Sequence, residues 1–195
     1  MNTVSATCGP GSKHFHAVRF YQDDTSLCRI AAAFIGDGLA ANQPAVVIAT
    51  PSHRAGILDE LRSLSFDGGR LESAGELQLL DAEHTLAAFM RHGSLDPVAF
   101  GATVGPVLQR ARAARPDATV RAYGEMVDWL WRCDETDAAI RLEALWNDLA
   151  NSYPFSLLCG YSLGNSYQHG AYEQICNQHT HVVSASGQHA LIDIV

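Results

Sequence analysis

The chain is short of positive charge, of cysteine and of long hydrophobic runs. Thirteen lysines and arginines stand against 21 acidic residues, a formal net charge of −8. That deficit excludes a nucleic-acid-binding domain, which needs a basic face to replace phosphate counterions. The densest basic run, RARAAR (110–115), reads as the solvated face of a helix or as a local anionic contact. The five cysteines, Cys8, Cys28, Cys133, Cys159 and Cys176, are odd in number, far apart and never in a CxxC pair. They exclude a disulfide framework and fit free, mostly buried thiols in a reducing cytoplasm. No apolar run approaches the roughly 20 residues of a membrane span. The polar N-terminus, MNTVSATCGPGSK, lacks the apolar centre of a signal peptide. The expected location is therefore the cytoplasm, with no membrane and no direct nucleic-acid partner.

What is present is apolar and ordered. Of 195 residues 47% are hydrophobic and 17% charged, enough for one domain with a core that folds without staples. Residues 1–13 read as a flexible tail, 14–183 as the domain and 184–195 as a C-terminal extension. Short apolar runs alternate with amphipathic stretches. HAVRFY (16–21), AVVIAT (45–50), LQLLDA (77–82), TVRAY (119–123) and SLLCGY (156–161) are the strand candidates, with HTHVV or ALIDIV as a last edge strand.

Between the strands lie helical patterns. Asp24 or Thr25 caps the first, which carries Leu27, Ile30, Ala31, Phe34 and Ile35 and ends at Gly36 or Gly38. Ser52 caps the second. A third carries Leu86, Phe89 and Met90, and Asp96-Pro97 opens a fourth. Two more are split near Cys133-Asp134, and AYEQIC is a short last one. This rhythm predicts an α/β fold: a three-layer, mainly parallel sheet of five or more strands flanked by helices. Ligands in such sheets collect beyond the carboxyl ends of the strands.

Several segments then point to a family. HFHAVRFYQDD, RAYGEMVDWLW, RLEALWNDLA, FSLLCGY and ICNQHTHVV occur in that order. Together they resemble the MEDS domain, the methanogen/methylotroph sensory domain also found in the dichloromethane-dehalogenase regulator. The resemblance covers roughly residues 14–183, and the GEM…LW…LE.LWN.L combination is its specific part. It implies a sensory relative of the RecA-like ATPase fold that works with histidine kinases, anti-anti-sigma or DNA-binding modules. With nothing after the domain in this chain, it also implies an output partner on a separate chain. A working P-loop would need G-x-x-x-x-G-K-[ST] after the first strand. YQDDTSLCRI stands there instead, without the glycine-rich turn or the lysine, and Asp23 and Asp24 would repel a triphosphate. ATP is not an expected cofactor. GYSLGN departs from the family at the last loop, where a proline commonly follows the strand.

The expected ligand-binding residues are Tyr21, Glu125, Trp129, Arg121 and His16. Glu125 follows the fourth strand and either enters the cleft, accepting from Tyr21 or a histidine, or caps the next helix. Trp129, four residues on, shares its face as pocket wall or core. Arg121 lies inside the strand on the face of Tyr123, where a buried guanidinium calls for a carboxylate such as Glu143 or Asp81. Tyr21 ends the first strand and either lines a pocket or packs in the core. His14 and His16, with His179 and His181, form two HxH pairs that can converge on a transition metal, with Cys176 as a further ligand. The plainer alternative is hydrogen bonding between tail and first strand.

No nucleophile motif occurs. The leading expectation is a stand-alone cytoplasmic sensor. It binds a small organic ligand at the carboxyl edge of the sheet and relays to a separate histidine kinase or transcription regulator, with a homodimer as a further possibility. The rival expectations are a metal-dependent hydrolase or noncanonical nucleotide-processing enzyme, and a protein-interaction scaffold without a ligand.

Overall fold

The computed structural model describes residues 14–163 and 169–183. The chain reads β1 (His16–Tyr21), α1 (Asp24–Ala40), β2 (Ala45–Ala49), α2 (Pro51–Ser63), α3 (Gly68–Ser73), β3 (Leu77–Asp81) and α4 (Ala82–Ala87). It continues with β4 (Met90–Arg91), β5 (Ser94–Leu95), α5 (Pro97–Ala113), β6 (Val120–Gly124), α6 (Met126–Arg132), α7 (Thr136–Ala150), β7 (Phe155–Ser162), α8 (His169–Asn177) and β8 (His181–Val182). The tail, the C-terminal extension, ALIDIV and Asn165 of GYSLGN lie outside the described residues.

Six strands form one parallel sheet in the order β3-β2-β6-β7-β1-β8, so the α/β, three-layer expectation holds. β4 and β5 make a separate small hairpin. Each interior strand is buried on both faces, and β2 is buried at every position. That is why AVVIA reads as an unbroken apolar run. One core lies between the sheet and α4–α7 and includes Phe100, Met126, Leu142, Trp146 and Tyr161. The other lies against α1, α2 and α3 and includes Leu27, Ala31, Ile35, Ile57, Leu61 and Leu71.

Alternation assigns side chains to these layers. Val18, Ala122, Leu157, Cys159 and Tyr161 enter the α4–α7 layer, whereas Ala17, Tyr21, Tyr123 and Leu158 enter the α1–α3 layer. β1 and β2 send their connections over one face, and their neighbours β7 and β6 over the other. All strands stay parallel, but the face over which the connections run reverses at two places, between β2 and β6 and between β1 and β7. Crevices at the carboxyl ends of an open sheet form at such reversals.

Local expectations shift at several element ends. Of the residues able to cap α1 it is Asp23 that does so, accepting from the Ser26 amide at 2.7 Å. Thr50 holds the cap position of α2 without a side-chain bond, and Pro51 opens the helix, so Ser52 is already inside it. α4 stops at Ala87, because His92 and Gly93, both at positive φ, turn the chain back and draw Met90 into the hairpin. α1 runs past Gly36 and Gly38 to Ala40. Gly38 is there for space: a Cβ on it would lie 2.1 Å from Arg121 Cγ and 3.0 Å from Arg121 Cβ.

Gly38→Ala should therefore destabilise the fold by about 1–3 kcal/mol, the usual penalty for overpacking. Gly101→Ala, on α5 with nothing within 4 Å of the added carbon, should stabilise it by about 0.4–1 kcal/mol. Denaturant titration of the two variants checks both signs.

Candidate functional site

Two reversal points of the sheet carry two linked polar arrays. At the β2–β6 junction, Glu125 follows β6 on the face of Tyr123, toward α2. It occupies the cap position of α6 but makes no side-chain bond to that helix. Its carboxylate accepts instead from the Thr50 backbone amide at the end of β2, from His53 Nδ1–H at 2.7 Å and from the Tyr123 hydroxyl at 3.2 Å. Of the two sequence readings, the cap position holds but without a side-chain bond to the helix, and the histidine that meets Glu125 is His53 of α2. His53 Nε2 lies 3.3 Å from Asp24 Oδ1. Glu125 and His53 are buried, while the Asp24 side chain is 74% exposed, so the array runs from the interior to the surface.

The His53 imidazole titrates above its ordinary value. The hydrogen bond to Glu125 is the main cause; burial opposes it, and the charges of Glu125 and Asp24 add to it. Cys28 packs beside this array with its thiol 3.8 Å from the His53 carbonyl. Burial and the nearby carboxylates push that thiol up to about 11, so it stays protonated and unreactive at neutral pH.

At the β1–β7 junction Tyr21 donates its hydroxyl to Asp128 Oδ2 at 2.7 Å, and the Ser162 amide donates to Asp128 Oδ1 at 2.6 Å. Asp128 is buried, and burial raises its carboxyl above the ordinary value against the pull of these two donors. Tyr21 thus meets Asp128 rather than Glu125. Its ring also meets the His53 ring edge-on at 6.1 Å, which joins the arrays. Trp129 is half-buried against the α4–α7 core one turn beyond Glu125 and belongs to this edge. The neighbouring Trp131 donates its indole N–H to the Ser162 carbonyl at 3.1 Å.

Arg121 and His16 lie elsewhere. Arg121 shares the face of Glu125 but sits at the amino end of β6, roughly 13 Å back along the strand. It binds the Gln43 side-chain oxygen at 2.7 Å and lies 4.8 Å above the Phe34 ring. Its expected carboxylate partners are corrected accordingly: Glu143 is across the sheet, and Asp81 pairs with Arg54 at 3.4 Å. His16 is five residues from Tyr21, and an odd separation on a strand puts the two on opposite faces.

His16 instead enters a third buried cluster, in the α4–α7 layer, with Glu143 of α7, Cys159 of β7 and His179. The expected metal set is thus redrawn. His16 and His179 come together, with ring centroids 4.2 Å apart. His14 stays at the margin, its Nε2 3.1 Å from Asn147 Oδ1. His181 turns away to stack on Phe15 at 4.6 Å and to meet the Thr180 hydroxyl at 2.7 Å. Cys159, not Cys176, is the thiol present. Burial and the neighbouring His179 lower the His16 titration, against the pull of Glu143 and Asn147.

Sequence reasoning passed over His53, Asp128 and Cys159 as site residues. Two had readable signals: His53 lies four residues beyond a buried strand, and Asp128 stands three after Glu125 in an otherwise apolar helix start.

The sequence profile of MEDS, the methanogen/methylotroph, DcmR sensory domain, matches residues 15–180, and the chain belongs to that family. Its designation gives the chain a signal-sensing role. Among curated proteins none matches the sequence. No helix among the described residues is long and apolar enough to cross a membrane.

Tyr21→Phe should cost about 1–3 kcal/mol by leaving a buried oxygen of Asp128 unpaired. The His53 contribution has the opposite pH sign to that of a paired carboxylate. Because its folded value is raised above 6.5, its stabilisation is complete below that pH and fades as pH rises through the folded value. The stability gap between wild type and His53→Gln should therefore be widest in mild acid and should narrow on raising the pH, as read by denaturant titration across the range.

Proposed function

We propose that this protein senses a small organic molecule carrying a hydroxyl or an amine, bound at the carboxyl edge of the sheet beside Glu125, Asp128 and Tyr21. The observation that carries this reading is the linked array Asp24–His53–Glu125, with Tyr21–Asp128 alongside, placed at both reversal points of the sheet. Few polar groups on apolar walls, with Trp129 at the margin, is the usual composition of a small-molecule site. The absence of a glycine-rich turn and lysine after β1 argues against a triphosphate in that position.

The relay follows from what these carboxylates hold. Glu125 ties α6 to the end of β2, and Asp128 ties the same short helix to the ends of β1 and β7. A ligand that takes over one of their donors binds one arrangement of α6 and its flanking loops better than another. That difference in affinity shifts the population of the two. A separate histidine kinase or transcription regulator reads the shift. Arg121, at the other end of β6, supports the strand and takes no part in recognition.

Thermal-shift assays with methanol, ethanol, methylammonium and ethanolamine test the reading. A probe at 100 times its dissociation constant adds roughly 2.7 kcal/mol of stability, a shift of about 5–10 °C for a chain of this size. At least one probe should give a saturable shift that Glu125→Gln, shown to be folded by circular dichroism, abolishes. No saturable shift with any probe and no organic mass retained in native mass spectrometry would reject a small-molecule site; an undiminished shift in the variant would remove Glu125 from it.

A further inference from the structure

The third cluster takes no part in that reading and has its own logic. Four side chains from four separate stretches meet inside the α4–α7 layer: His16 on β1, Glu143 in the middle of α7, Cys159 on β7 and His179 just before β8. All four are buried, and their nearest polar atoms lie within 4.8 Å of one another.

The surrounding bonds fix which ring nitrogens face inward. Asn147 donates its amide nitrogen to the Gln178 carbonyl at 2.9 Å, which turns its oxygen toward His16. That oxygen can only accept, so His16 Nδ1, 2.9 Å away, carries the proton. The Ile175 carbonyl, 2.7 Å from His179 Nδ1, fixes the second ring in the same way. Each ring then turns its Nε2 toward the Glu143 carboxylate, at 3.1 Å for His16 and 3.3 Å for His179. His179 Nε2 has no hydrogen-bond partner although its side chain is fully buried. Two imidazole nitrogens facing a buried carboxylate are satisfied by a positive charge between them, either a proton or a metal ion.

We propose that His16, Glu143, Cys159 and His179 form a closed, four-coordinate zinc site that fastens the α8–β8 segment to the sheet. The spacings already suit it. His16 Nε2–Glu143 Oε2 is 3.1 Å, Cys159 Sγ–Glu143 Oε2 is 3.4 Å and Cys159 Sγ–His16 Nε2 is 3.5 Å, while His179 Nε2 lies 3.3 Å from the other carboxylate oxygen, Oε1. Zinc bonds of about 2.0–2.1 Å to nitrogen or oxygen and about 2.3 Å to sulfur give tetrahedral edges of roughly 3.3–3.6 Å. Two imidazoles, one thiolate and one carboxylate are zinc ligands by type, and with Zn²⁺ they sum to zero charge, which suits a buried site. The thiolate forms by releasing the Cys159 proton to solvent as the metal enters.

Outer contacts are in place as well. Asn147 and the Ile175 carbonyl hold the two Nδ1–H groups, and Tyr161 donates to Glu143 Oε1 at 2.8 Å, the oxygen nearer His179, while Oε2 faces His16 and Cys159. Four protein ligands leave no open position, so the site is structural rather than hydrolytic. Among the described residues β8 pairs with β1 at Ala17↔His181 and Val18↔Val182, and Thr180 and Val183 bond to the same strand, so the site would add a fastening from inside the layer.

The test strips the full-length protein of metal with a chelator, adds back one equivalent of Co²⁺, and then displaces it with Zn²⁺. The expected spectrum has the intense visible bands of four-coordinate cobalt and a near-ultraviolet thiolate-to-cobalt band, both erased by one equivalent of Zn²⁺. Cys159→Ser should lose the thiolate band, and Cys133→Ser, at an exposed thiol, should keep it. Asn147→Ala keeps all four ligands and should weaken binding about 10–100-fold. No stoichiometric uptake, a six-coordinate spectrum, or a thiolate band that survives Cys159→Ser would overturn the proposal. None of these results depends on an organic ligand, so the sensor reading stands or falls separately.

Discussion

A carboxylate buried at the open end of a parallel sheet is the constraint from which the rest of this edge follows. Glu125 has almost no contact with water, and an unpaired charge there would be prohibitively costly. Three donors answer it: the Thr50 amide, His53 Nδ1–H and the Tyr123 hydroxyl. They come from the end of β2, the first turns of α2 and the end of β6, so satisfying one side chain fixes three elements relative to each other. Asp24 on α1 then meets the far nitrogen of His53. Asp128 repeats the device one turn later for β1 and β7. The edge is thus held by exchangeable polar contacts on top of a conventional apolar core.

Strand parity divides the polar residues of the domain into two populations. Tyr21, Tyr123 and Glu125 belong to the α1–α3 side, and His16, Cys159 and Tyr161 to the other. The first group lies at the carboxyl ends, where ligands gather. The second lies within a layer closed by α7, where Glu143 is completely enclosed.

The frame was legible from the sequence because it depends on local patterns. Short, mostly apolar runs marked five strands of the sheet, HTHVV, one of two candidates, holds the sixth, and Asp96-Pro97 and Cys133-Asp134 marked real helix boundaries. Gly36 and Gly38 misled because a glycine that ends a helix and one that makes room for a neighbour look alike in one dimension; only the approach of Arg121 distinguishes them. The site was half legible. Glu125, Tyr21 and Trp129 share the edge, but their partners His53 and Asp128 depend on which strand lies beside which, and sequence spacing does not carry strand order. His16 was separable from Tyr21 by counting alone, since five is odd. The second HxH pair failed as a unit because His179 precedes β8 and only His181 obeys strand alternation. Asn147 bridges His16 to the Gln178 carbonyl.

The central claim is that His53 is held as a two-handed donor between Glu125 and Asp24. Nitrogen-15 NMR of the imidazole tests this most directly, because both ring nitrogens report their protonation. The account predicts that at pH 6.5 most of the His53 population carries protons on Nδ1 and Nε2 together. A neutral ring at that pH, with either nitrogen bare, would contradict it.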